Sequence, residues 1–90
     1  MSPEAWTLPW EEAREGLLVH RDRRVVYLNP AAAELLAVDR EKVRGLPLIL
    51  ALRDHRLEAL ALKGGEAVLE VRGRVLAARA RPGLLSLLDV

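Results

Sequence analysis

Residues 24 to 38, RVVYLNPAAAELLAV, change the spacing of their apolar positions halfway along. Arg24 to Leu28 is a β-branched and aromatic run that predicts a strand. From Pro30 onward, Ala31, Ala32, Ala33, Leu35 and Leu36 predict a helix with a small-residue side that can lie close to a sheet. The residue before a proline is pushed toward extended backbone, whereas proline has its own φ already set for the first helical position and lacks an N–H that would go unpaired there. An Asn side chain can accept from the first-turn N–H groups. Asn29-Pro30 is therefore a junction that stops a strand and starts a helix with no loop between them.

The same reading extends to both sides. Residues 1–15 read as a helical lead-in, with Pro3, Pro9, Glu4, Glu11 and Glu12 as start signals, Trp6, Leu8, Trp10 and Ala13 as an apolar side, and Gly16 as its stop. Leu17 to His20 is a short apolar strand, and His20 to Arg24 is expected to turn back, with His20 solvated and Arg23 supplying any left-handed residue. After the junction helix, Asp39 is an N-cap for a turn at Arg40 to Arg44 that ends at Gly45. Pro47 opens a turn through Leu52. Asp54 caps a helix from His55 to Lys63 with Leu57, Leu60 and Ala61 on one side, and Gly64-Gly65 ends it.

The last third alternates. A two-residue turn at Arg72-Gly73 places Leu69 opposite Leu76 and Ala67 opposite Ala78 on one face, and Glu66 opposite Arg79 on the other, so one register satisfies both faces. Pro82-Gly83 turns the chain again into Leu84-Leu85-Ser86-Leu87-Leu88, which does not alternate and is placed centrally, with apolar material expected on each face. The order of a helix, two strands, a run of short helices and three strands predicts an α+β domain: an antiparallel sheet with helices over one face.

Ninety residues allow one modest core. The apolar half of the chain is nearly all Leu, Val and Ala, with no Phe, so the core is aliphatic and poor in the aromatic plates that wall large cofactors. A net charge of +1 with interspersed signs gives no field for nucleic acid or an anionic membrane, and the basic cluster Arg21 to Arg24, broken by Asp22, reads as a solvated turn. Without cysteine there is no disulfide, thiolate nucleophile or Cys-ligated metal. No apolar run approaches the length of a membrane span, and a cytoplasmic location is expected.

The strings EGLLVHRDRRVVYLNPAAAELLAVDREKVRGLPL, ALRDHRLEALALKGGEAVLEVRGRVLAARARPG and LLSLLDV, covering residues 16 to 90, together resemble a PAS sensory domain of the short type found in bacterial sensor histidine kinases of the phosphate-regulon kind. The most specific part is Asn29-Pro30 with Ala31-Ala32 and Leu35-Leu36. The ending Asp89-Val90 is similar to the start of the family's Asp-x-Thr signal. The resemblance implies a five-stranded antiparallel sheet in spatial order 2-1-5-4-3, with residues 16–90 as the domain and 1–15 as its lead-in. It also implies a role in sensing a ligand or a neighbour and relaying a shape change through the C-terminal strand to a linker helix and kinase. Asp89 would sit at that output, commonly in a salt bridge. Where the family often has Asp and Gly in the first hairpin, this chain has His20 and Arg23, and the region between Gly45 and Gly64 is compact.

Some haem-binding relatives hold iron through a His in the region of His55, but His55 stands between Asp54 and Arg56 on the polar side of its helix and reads as a surface or capping residue; no cofactor is expected. A flavin–thiol adduct has no cysteine to form on. Ser86 lies in an apolar strand with no His-Asp arrangement in view, and no phosphate loop or HExxH motif is present, so no enzyme and no metal site are expected. A small apolar pocket, if present, would lie between Leu36, Leu48, Leu52, Leu57 and Leu60. Trp6, Trp10, Leu85 and Leu87 are the candidates for a homodimer interface. The expected role is a non-catalytic sensory and dimerisation module of a two-component sensor kinase, the kinase being its attached or bound partner. A receptor for a small apolar ligand and a dimerisation domain of a transcription regulator are the alternatives.

Overall fold

The computed structural model describes residues 8–90, which form α1 (Leu8–Glu11), β1 (Gly16–Arg21), β2 (Arg24–Leu28), α2 (Pro30–Leu36), α3 (Arg40–Val43), α4 (Leu48–Leu52), α5 (His55–Lys63), β3 (Gly65–Val71), β4 (Arg74–Arg81) and β5 (Leu84–Asp89). The strands make one antiparallel sheet in the order β2-β1-β5-β4-β3. Trp6 lies outside the described residues.

The local signals act as their chemistry dictates. Asn29 is extended, at φ −81 and ψ 169, and its side chain accepts from the N–H of Ala32, with Pro30 opening α2. Asp39 and Asp54 cap α3 and α5 by accepting from the second and third amides of each. Where no glycine is available the chain tolerates left-handed residues: Ala37 at φ 55 closes α2 and Arg53 at φ 53 closes α4. The first hairpin turns on Asp22 and Arg23 alone, at φ 54 and 62, the primed geometry that matches strand twist. His20, expected in that turn, is instead a buried residue of β1, because a two-residue turn leaves Arg21 and Arg24 paired within the ladder.

Gly16, expected to stop the lead-in helix, opens β1. A Cβ there would stand 2.9 Å from Ala32 Cα, so glycine lets the strand pass directly beneath α2. The lead-in helix ends earlier, at Glu11.

The β3–β4 register pairs Leu69 with Leu76, Ala67 with Ala78 and Glu66 with Arg79, and the last two side chains meet at 2.7 Å. β5 pairs Leu85 with Ala80 and Leu87 with Ala78. Leu85 and Leu87, expected on an exposed interface, are therefore on the helix-covered face and fully buried. The outward residues of β5 are Leu84, Ser86 and Leu88.

The inner face of the sheet, including Leu18, Val25, Leu28, Leu76, Leu85 and Leu87, meets Ala32, Leu36, Leu48, Ala51, Leu52 and Leu57 from α2, α4 and α5 in one aliphatic core. Each fully buried leucine contributes on the order of 2 kcal/mol. At one edge, the 45–48 segment lies along β2: Val25 donates to Leu46 O, Gly45 to Val25 O and Leu48 to Arg23 O, at 2.9, 2.8 and 2.7 Å. The opposite edge is β3.

Candidate functional site

Three places in this framework bear on function: the junction that ties the lead-in to the sheet, the leucine cluster under the helices, and the end of the central strand.

The junction centres on Asn29, which has no exposed surface. Its Oδ1 accepts from Leu17 N and Ala32 N, both at 2.9 Å, and its Nδ2 donates to Trp10 O and Glu15 O, both at 2.8 Å. Its backbone N–H donates to Leu17 O at 3.0 Å and its carbonyl accepts from Ala33 N at 3.1 Å. One side chain thus joins β1, α2 and both ends of the segment between α1 and β1.

A second tie lies alongside. Tyr27 neighbours Leu28 in β2 and so points to the outer face, where its ring centroid is 6.0 Å from that of Trp10. Its hydroxyl donates to Glu11 Oε2 at 2.5 Å. Arg40 of α3 grips the same carboxylate with two nitrogens at 3.1 and 2.8 Å, donates to Leu28 O at 2.9 Å, and places its guanidinium 5.8 Å from the Tyr27 ring centre. Hydrogen bonds from Tyr27 and Arg40 hold the Glu11 carboxyl below its ordinary pKa. Burial, with the neighbouring carboxylate, pushes the Tyr27 phenol up to about 12. The arrangement clamps α1 over the β2–β1 half of the outer face.

The five leucines named from the sequence do converge beneath the helices. Leu36, Leu48, Leu52 and Leu57 have no exposed surface, so no water-sized sphere touches them and they line no cavity in this structure; Leu60 packs at their margin, half-buried. The expected pocket is filled by the side chains meant to surround it. A groove of about 410 Å³ lies instead on the outer face, floored by Ala77 and Ser86 and flanked by Glu15, Glu66, Val68, Arg79 and Leu88.

Asp89 ends β5, opposite Leu76, and its carboxylate lies 3.5 Å from Arg74, both side chains being well exposed. His55 is exposed at the first turn of α5, beside Asp54. Arg56 holds the Asp54 carboxyl down at about 2. Among the described residues no three His, Asp or Glu side chains gather as a metal site. Nor is any helix among them long and apolar enough to cross a membrane.

Sequence reasoning missed His20, whose Nε2 is buried without a hydrogen-bond partner and whose imidazole is pushed below its ordinary pKa by burial. It also missed Tyr27, Glu11 and Arg40. Their association joins residues 16 and 29 positions apart, and no local pattern announces it.

A mixed helical layer over one face of an antiparallel 2-1-5-4-3 sheet defines the PAS fold, and the comparisons agree. The PAS domain of nitrogen regulation protein NR(II) from Vibrio parahaemolyticus is 18% identical, with a TM-score of 0.58 and 100% of both chains covered. A domain of an HTR-like protein from Haloarcula marismortui is 15% identical, with a TM-score of 0.60 over 87% of this chain and 99% of that one. The PAS domain, in complex with ethanol, of a LuxR-family transcriptional regulator from Burkholderia thailandensis is 16% identical, with a TM-score of 0.56 over 94% and 96%. No family model matches the sequence, and no curated protein is significantly similar to it.

Proposed function

We propose that this domain is a non-catalytic sensory and relay module of a cytoplasmic signalling protein, in which the state of the helical layer reaches an effector through β5. The observation that carries this reading is the course of β5. It lies in the middle of the sheet, its inward Leu85 and Leu87 are packed in the core with the α4 and α5 leucines, and it ends at the exposed Asp89. Close-packed interiors do not deform smoothly, so a shift of those helices is passed on as a shift of the strand.

Two attachments stand side by side: a sensor kinase, the reading favoured by the sequence resemblance, and a transcription regulator, the class that the name of one structural neighbour gives for that protein. In the kinase case the output is autophosphorylation; in the other it is DNA binding by an attached domain. A receptor for a small apolar ligand is a further alternative and requires the leucine cluster to open.

Two measurements test the proposal. Asp89→Ala in the full-length protein is expected to change the output while leaving thermal stability nearly unaltered; an unchanged output removes β5 as the route. Thermal unfolding against a metabolite library is expected to give no saturable stabilisation. A ligand at a hundred times its Kd would add about 2.7 kcal/mol, and such a rise would favour the receptor reading.

A further inference from the structure

The turns at one end of the sheet gather positive charge. The β1–β2 turn, the link from α5 into β3 and the β4–β5 turn all lie at the end away from Asp89, because Arg21 pairs with Arg24, Gly65 with Ala80 and Arg81 with Leu84. They carry Arg21, Arg23, Arg24, Lys63 and Arg81, each of them exposed, and Asp22 is the only acid within these turns. Among the described residues none of these cations forms an ion pair. Arg24 donates to Gly45 O at 3.0 Å, and Glu15 borders the same groove as Arg81 without pairing with it. A chain whose net charge is only +1 thus holds a strongly positive tip, assembled from three separate segments.

Folding alone is poorly served by this arrangement. Arg21 and Arg24 stand directly opposite one another in the ladder, where like charges are destabilising. Arg23 sits at φ 62 in a turn where glycine would adopt the same conformation without strain. Cations that repel one another, and a charged residue kept at a strained position, point to a use outside the fold.

We propose that this tip is a docking surface for an acidic segment of a partner protein. Apart from Lys63 its cations are all arginine, whose planar fork takes a carboxylate through two parallel hydrogen bonds. Asp22 decides between an acidic protein and a nucleic acid. It stands in the turn between Arg21 and Arg23, where the unbroken charge of a phosphate backbone would meet a carboxylate, whereas a peptide can offer a backbone N–H or a cation there. Nor are stacking platforms for bases at hand: Trp10 and Tyr27, the aromatic side chains of the described residues, lie against each other beside α1. Exposed charges of this kind speed encounter and are screened by salt. The assignment rests on charge and position, and it holds whether or not the domain senses a ligand.

Fluorescence anisotropy of a labelled oligoglutamate peptide of about ten residues, titrated with the 90-residue chain at about 20 mM salt, tests it. Saturable binding is expected, weakened more than tenfold at about 0.3 M salt. Arg23→Glu is expected to weaken it more than tenfold with an unchanged circular dichroism spectrum. Arg74→Glu, the same change of charge at the opposite end of the sheet, is expected to alter it less than twofold. Arg23→Gly relieves the left-handed strain, so it should hold or raise the melting temperature while weakening binding severalfold; a lower melting temperature with binding intact would make Arg23 a turn residue only and overturn its role. A chain that fails to bind the peptide at about 1 mM overturns the proposal. Equal losses from Arg23→Glu and Arg74→Glu place the attraction in net charge and overturn the tip as its site. Tighter binding to a DNA duplex, or to vesicles of phosphatidylserine and phosphatidylcholine in equal parts, than to the peptide at the same salt overturns the assignment to an acidic protein.

Discussion

Replacing Asn29 by Ala is expected to cost this domain a large part of its stability. The substitution deletes an acceptor for two amides, Leu17 N and Ala32 N, and a donor for two carbonyls, Trp10 O and Glu15 O. Losing the helix cap alone costs about 1 kcal/mol. Leu17 N belongs to a buried residue, and leaving such a donor unsatisfied adds about 1–3 kcal/mol. The two part-buried carbonyls regain water more readily and add less, so a total of about 3–5 kcal/mol is expected. A chain of this length is stable by only about 5–13 kcal/mol. At about 4–8 °C per kcal/mol the melting temperature should fall by well over 10 °C. Urea unfolding followed by circular dichroism gives the free energy, and Trp fluorescence reports the lead-in through Trp10. Asn29→Asp separates the two halves of the hub: the acceptor is kept for the cap, while a carboxylate now faces the Trp10 and Glu15 carbonyls. The Asp variant should keep α2 but free α1, seen as rapid hydrogen exchange confined to residues 8–15. If Asn29→Ala costs under about 1 kcal/mol, or if the Asp variant protects the lead-in as well as the wild type does, the hub is not what holds these elements together.

Three further outcomes are expected. Burial favours the neutral form of His20, so its folded pKa lies below the unfolded value of 6.5; the associated stability is fully present above that pH and is lost as pH falls through it, and His20→Leu should flatten the melting temperature between about pH 7 and pH 5. Gly16→Ala should destabilise by about 1–3 kcal/mol in urea unfolding, because the new Cβ meets Ala32 backbone at 2.9 Å, which cannot move aside as a flexible side chain could. Tyr27→Phe should cost about 1 kcal/mol by the same measure, and in the wild type the phenol, pushed up to about 12, should resist ionisation in a spectrophotometric titration, with stability falling as pH rises above the ordinary phenol value of 10.

Much of the framework could be read from the chain because its signals were local. Asp39 and Asp54 cap helices through amides two and three positions away, and the turn at Arg72-Gly73 fixes a register that the cross-strand pair of Glu66 and Arg79 then completes. The side on which Leu85 and Leu87 fall was also available, since a two-residue turn at Pro82-Gly83 pairs Ala80 with Leu85. It was obscured because β5 is apolar at nearly every position, so alternation within the strand says nothing of its orientation. The leucine cluster was identified by residue, but whether side chains surround a space or fill it depends on rotamers and interlayer distance, which no spacing encodes. The Tyr27, Glu11 and Arg40 clamp and the long-range bonds of Asn29 were illegible for a different reason. They depend on where α1 lies over the sheet, which tertiary packing decides.

The two borders of the sheet carry different risks. Along β2 the backbone groups of Arg23 and Val25 are already engaged by residues 45–48, so no stray chain can add there. β3 keeps its outer side, and any runaway growth into fibrils must begin from it. Successive molecules stacked edge to edge there would bring Glu66 and Glu70 toward one another, an electrostatic brake on polymerisation. Neutralising both glutamates should therefore promote precipitation through that single border.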